Sequence, residues 1–180
     1  LRSSSKDHQA FLLHPETGRR LDTPSRQRLE IDADKDMDVQ LIAGDGLSAV
    51  ALMESGPLLI DALLLQLREK GLRVGRPLCV KFARIGVQDE IGVVTRSKST
   101  LIIVGERPGL GTGDSLSIYT AYGPKLGQDN SEKDCISNVR KVGFTPTEAA
   151  KRCAELMVRS FQAGGGGVKL ASTGVAAGGS

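Results

Sequence analysis

Tryptophan is absent from this 180-residue chain, tyrosine and phenylalanine number only 2 and 4, and aromatic residues make up just 3% of the whole. The net charge is a mere +3. A general nucleic-acid binder needs basic patches and rings for stacking, so no nucleic-acid partner is expected. Histidine is almost as scarce. His8 and His14 are the only two and sit in polar settings, which excludes a histidine metal triad or a Ser-His-Asp site. Cys79, Cys135 and Cys153 are odd in number, far apart and without a C-x-x-C pair, so they signal neither a disulfide framework nor a zinc site and point to a reducing compartment. Long apolar runs are missing too: Ala62–Leu65 and Leu101–Val104 fall far below the ~18 residues of a bilayer crossing, and no membrane segment is expected. The stretch Leu1–Ala10 lacks the apolar core of a signal peptide and does not start with Met, so an N-terminal segment is expected to be missing.

What is present suits one globular domain: hydrophobic residues at 39% and charged residues at 25% exclude wholesale disorder, and the length suffices to bury a core without staples. Residues 1–30 read as a polar, basic arm, extended or partly helical and outside the core. Residues 31–168 form the main domain, and residues 169–180, small and glycine-rich, a disordered tail. Val39–Ala43, ending at Gly44, has the profile of a buried strand. Leu58–Lys70 reads as a helix docked on a sheet, with Pro57 at its first position and Gly71 as its left-handed stop. Pro77–Phe82 and Thr100–Val104 read as further strands, Leu116–Tyr122 as extended, and Gly123–Gly143 as mostly turns. The alternation from Arg84 to Gly92 is too short to type. The last helix is the best marked, since Thr145, Pro146 and Glu148 make a capping box and Gly164–Gly167 stops the run. Together these predict an α/β layered, Rossmann-like fold with a mainly parallel sheet, whose ligands should lie beyond the strand ends at Gly44 and Gly105.

At the first of those ends, Gly44-Asp45-Gly46-Leu47-Ser48-Ala49 fits G-x-G-x-x-A after a strand, where backbone amides could approach a phosphate. A dinucleotide fold also wants an acidic residue closing its second strand, and Phe82, Ala83 and Arg84 stand there instead. At the second end, Gly105-Glu106-Arg107-Pro108-Gly109-Leu110-Gly111 puts a carboxylate and a guanidinium at the mouth of the sheet. It is not a Walker loop, because no Gly-Lys-Ser/Thr follows. Asp32, Asp34, Asp36 and Asp38 alternate like the opening of a calcium loop, but Met37 holds the obligatory glycine position, so a solvated acidic hairpin is expected. Cys135 lies in a polar stretch with no histidine nearby in sequence to activate it.

Several of these blocks recur together. Gly18-Arg19-Arg20-Leu21, Ile42 to Ala49, Ile91-Gly92, Val104 to Leu110, Asp114-Ser115-Leu116-Ser117 and Cys135-Ile136-Ser137-Asn138-Val139 follow one another from about Ser5 to about Gln162. In that order the chain resembles the small subunits of ethanolamine ammonia-lyase, the adenosylcobalamin-dependent enzyme that converts ethanolamine to acetaldehyde and ammonia. The resemblance implies a TIM-barrel large subunit that performs the radical rearrangement, with the small subunit helping to enclose the cofactor. It implies cofactor contacts at Ile85, Glu106 and Cys135, no catalytic residue in this chain, and a cytoplasmic setting inside a bacterial microcompartment. No Asp-x-His-x-x-Gly signature is present, in keeping with a cobalamin that retains its own base on cobalt. To these contacts the turn itself adds Gly44, Asp45, Gly46 and Ser48, through amides expected to be exposed. The N-terminal region is shorter than is usual for the family, and the glycine-rich C-terminal tail is unlike it. A nucleotide-binding regulatory or scaffolding module built on Gly44–Ala49 is the alternative reading.

Overall fold

A computed structural model describes residues 1–107 and 114–174. Pro108 and the glycines at 109, 111 and 113 of the second turn therefore lie outside the described residues, as do residues 175–180 of the tail. The sheet has five strands in the order β2-β1-β3-β4-β5: β1 Val39–Gly44, β2 Leu78–Val80, β3 Ser99–Glu106, β4 Ser115–Tyr122 and β5 Lys133–Val139. β1 pairs in parallel with both β2 and β3, whereas β3–β4 and β4–β5 are antiparallel. The expected mainly parallel sheet is thus a mixed one. The physical cause is the connection after β3, which returns as a strand instead of crossing over as a helix.

The two parallel connections are helical, and their helices cover opposite faces. α3 Ala49–Glu69 and α5 Pro146–Ala163 pack on one side, where Leu41, Leu101, Ile103, Leu116 and Ile118 meet Leu59, Leu63 and Leu67. α4 Val87–Thr95 packs on the other, over Ile42, Ile102 and Val104. α3 begins eight residues earlier than the proline suggested, because Ser48 caps it by accepting from the Ala51 amide at 3.1 Å and Pro57 falls inside it on an exposed position. Helix-interior proline costs about 3 kcal/mol. Complete burial of Leu59, Leu63 and Leu67 just beyond it outweighs that cost. α3 is also the one described helix long and apolar enough, by length and composition, to cross a membrane; here its inner face is sheet-packed core.

α5 keeps its expected start, with Thr145 and Glu148 exchanging both bonds of the capping box and Gly164 at φ 62° closing it. β5 replaces the turn-rich stretch expected before it: its burial alternates poorly and its polar residues disguise an edge strand.

The N-terminal arm is not outside the core. α1 His8–Leu13, a 3-10 turn Pro15–Arg19 and α2 Thr23–Asp32 bury Phe11, Leu21 and Leu29, the last against the core beneath α4. Isolated bridges Arg2–Lys81 and Ser3–Leu21 fasten the arm along the edge beyond β2. At the other terminus, α6 Val168–Gly174 takes up the first part of the expected tail. The expected solvated acidic hairpin is instead the end of α2 and a loop into β1, where Asp34, Asp36 and Asp38 pair with Arg76, Arg96 and Arg73 and Asp38 is buried.

Candidate functional site

The chain reverses its winding between β1 and β3, since α3 leaves β1 on one face and α4 enters β3 on the other. A sheet that does this opens a crevice at the carboxyl ends of the two strands. A cleft of about 660 Å³ lies there. Its floor comes from Gly46, Leu47, Gly105 and Glu106, one wall from Ala83–Gly86, and the far rim from the 126–130 loop together with Tyr119 and Lys133. The 3-10 turn of the arm closes the remaining side with Arg19 and Arg20.

The two glycine turns interlock beneath this cleft. Gly46 adopts φ +57°, and a Cβ on it would collide with the Gly105 carbonyl oxygen. A Cβ on Gly105 would in turn run into the Ser48 carbonyl. The Leu47 amide donates to Gly105 O at 2.8 Å, and the Ser48 amide to Asp45 O at 3.2 Å. These amides face inward and are spent on the fold, which leaves little of the phosphate cradle that G-x-G-x-x-A suggests. The remaining members of that turn are framework as well. Gly44 makes room for Ala83, whose Cβ would lie 2.6 Å from a Cβ added there. Asp45 accepts from the Ala83 amide at 3.1 Å, and Ser48 donates to Asp114 at 2.6 Å. Of the four residues expected there, only Gly46 lines the cleft.

Ile85 and Glu106 both line it, Ile85 from the turn before α4 and Glu106 from the last position of β3. Cys135 lies on β5, two strands beyond β3, paired in register with Tyr119 on β4, which does line the cleft. Cys135 is exposed at the sheet edge, but partial desolvation of its thiol pushes it up, a hydrogen bond with Tyr119 pulls it back in part, and the Glu106 charge adds to the rise. A thiol shifted this way is mostly protonated near neutrality and is a poor nucleophile. Tyr119 is likewise raised, first by its own burial and then by Cys135, so it stays a neutral phenol.

Sequence reasoning missed the polar support under the far rim. Lys133 and Asp89 form an ion pair of 3.0 Å with side chains only 2% and 5% exposed. Lys133 also donates to Gln128 O at 2.9 Å, while the Gln128 amide donates to Asp89 at 3.1 Å. Burial raises the Asp89 carboxyl and Lys133 opposes it. The trio anchors the 126–130 loop to α4, and the side-chain oxygen of Gln128 is left buried with no partner among the described residues. Because the stretch that forms α4 is too short to type and that of β5 reads as turns, nothing local brings these residues together. Arg19 and Arg20 were visible as part of a motif block, without a role.

The geometry is that of a mixed α/β domain with a cleft that joins a hydrogen-bond-accepting floor to an apolar and basic wall. The chain belongs to the family described as ethanolamine ammonia-lyase light chain (EutC), which matches residues 1–171. It is therefore a small subunit of a lyase, and a light chain implies a large-subunit partner.

Proposed function

We propose that this chain binds adenosylcobalamin together with the large subunit of ethanolamine ammonia-lyase, forming one wall of the cofactor site through the cleft at the ends of β1 and β3. The observation that carries the reading is the convergence of Ile85 and Glu106 on that one cleft, with Cys135 beside it against Tyr119. The residues fit the group. A corrinoid carries an apolar ring fringed by carboxamides, and the cleft offers Ile85 and Leu126 for the ring. The Glu106 carboxylate and the unpartnered Gln128 oxygen can accept from amide N–H groups.

When bound, the cofactor supplies the radical chemistry that turns ethanolamine into acetaldehyde and ammonia. This chain's residues hold and orient: Glu106 accepts hydrogen bonds, Ile85 packs, and the protonated Cys135 fills space. The Rossmann-like role, the cytoplasmic setting and the enclosure in a bacterial microcompartment belong to the same proposal. The nucleotide-module alternative loses its main support once the Leu47 and Ser48 amides turn inward.

The test is release of ammonia and acetaldehyde from ethanolamine with adenosylcobalamin and a large subunit, with and without this chain. Activity in the mixture alone is expected. Replacing Glu106 with Ala should weaken cofactor binding by about 1–3 kcal/mol, the cost of leaving the cofactor's amide donors without an acceptor in the assembled site. Unchanged affinity in the assembled enzyme would remove Glu106 from the site.

A further inference from the structure

Two arginines on the wall of the cleft are placed against each other by a reciprocal fit. The Arg84 stem crosses Gly18, where an added Cβ would stand 2.5 Å from Arg84 Cγ. The Arg19 stem crosses Gly86, where an added Cβ would stand 3.1 Å from Arg19 Cγ. Each segment thus gives up a side chain to make room for the other's arginine. Arg84 is further seated by Phe11, with its guanidinium 4.3 Å above the ring and Nη2 donating to the Phe11 carbonyl at 3.0 Å.

Neither guanidinium has a carboxylate partner among the described residues. The chain is not short of carboxylates elsewhere: Arg26 has Glu30 and Glu90, Arg73 has Asp38, and Arg96 has Asp36. The acids lining the cleft are mostly engaged, Asp89 by Lys133, Glu90 by Arg26, Asp129 by Ser131 and Glu16 by His14, which leaves Glu106 on the floor. The Nε of Arg84 is buried without an acceptor among the described residues. Burial, then the charges of Arg107 and Arg19, depress the Arg84 guanidinium, and Glu106 only partly offsets them. Holding two like charges together with a donor unsatisfied costs free energy that a bound anion would return.

We propose that Arg19 and Arg84 form a clamp for a phosphate group and, resting on the cofactor reading above, that they grip the phosphodiester of the cofactor's nucleotide tail. The planar forks of two arginines suit a phosphate diester, whose free oxygens accept several hydrogen bonds at once.

The assembled complex with a large subunit is titrated with adenosylcobalamin and with adenosylcobinamide, which has the ring and adenosyl group but no phosphate tail. Arg19→Gln should weaken adenosylcobalamin about tenfold to a hundredfold, the range for hydrogen bonds to charged groups, and leave adenosylcobinamide unchanged. Arg84→Lys, which keeps the charge and most of the stem over Gly18, should lose less of the same preference. Arg28→Gln, which removes an equal charge from a surface pair with Asp32, controls for net charge and should change neither affinity. Equal weakening of both corrinoids by Arg19→Gln, or of neither, overturns the clamp while leaving the cofactor reading standing. If the unaltered complex holds neither corrinoid, the cofactor reading fails, and the chain alone is titrated with inorganic phosphate at constant ionic strength. A rise in Tm that Arg19→Gln abolishes then upholds an anion clamp, and no such rise overturns it.

Discussion

The two faces of the sheet are built on opposite terms. Under α3 and α5, Leu41, Leu101, Ile103, Leu116 and Ile118 meet leucines, alanines, Cys153 and Met157 in one continuous apolar layer. Under α4 the apolar layer is smaller, and α4 itself buries Gln88, Asp89 and Glu90 in its first turns. Burial of apolar area stabilises wherever it occurs, whereas a buried charge does so only with its partner in place. The first face therefore carries most of the stability, and the second trades some of it for a polar cleft.

The sharpest break of that comparison is Lys133→Ala. It strands the Asp89 charge and releases the 126–130 loop, so unfolding free energy by urea should fall by about 4 kcal/mol, and affinity for the cofactor should fall with it. Leu63→Ala, on the apolar face, should cost about 3 kcal/mol in the same assay but leave the affinity of the folded fraction unchanged. A loss of affinity there would show that the two faces are not separable. Away from both faces, Asp38 closes the ionic cluster at the start of β1. Burial raises its carboxyl, but hydrogen bonds from Lys98 and Arg73 prevail and bring it from 3.8 down to about 2. A folded pKa below the unfolded one gives stability that is complete above about pH 4 and lost as pH falls toward 2, with Asp89 working in the opposite direction. The urea midpoint should drop across that window, and Asp38→Asn should flatten the drop.

A smaller effect comes from Thr145→Ala, which removes the capping box of α5 and should cost about 1 kcal/mol. The smallest is Cys135→Ser, for which steady-state activity of the assembled enzyme should be nearly unchanged, because a protonated thiol there performs no chemistry.

The elements legible in the sequence were those with a local cause. The α5 capping box, the left-handed stop at Gly71 and the buried runs of β1 and β3 each show themselves within a few residues. Those that were hidden depend on distant partners. The start of α3 was misplaced because Pro57 outvotes its surroundings locally but not once Leu59 and Leu63 are packed. β5 and α4 carry too many polar residues to look buried until Lys133 meets Asp89. Ile85, Glu106 and Cys135 came from family resemblance, and the fold brings the first two to one cleft. The G-x-G-x-x-A turn was read for its amides, while its glycines serve the close approach of Gly46, Gly105 and Ser48. Arg19 and Arg84 meet only through tertiary structure, so no motif could have paired them.

That contact between turns also has a mechanical side. With no side chain able to fit between Gly46, Gly105 and the Ser48 carbonyl, the floor of the cleft and the first turn of α3 are a single rigid joint. α3 extends about 30 Å from that joint, at 1.5 Å for each of its 21 residues. Its outward side carries Val50, Met53, Leu58 and Leu65 in solvent. Because the inner face of the helix is held against the sheet along its length, the interlocked turns fix the start of α3 and the cleft floor to the same core.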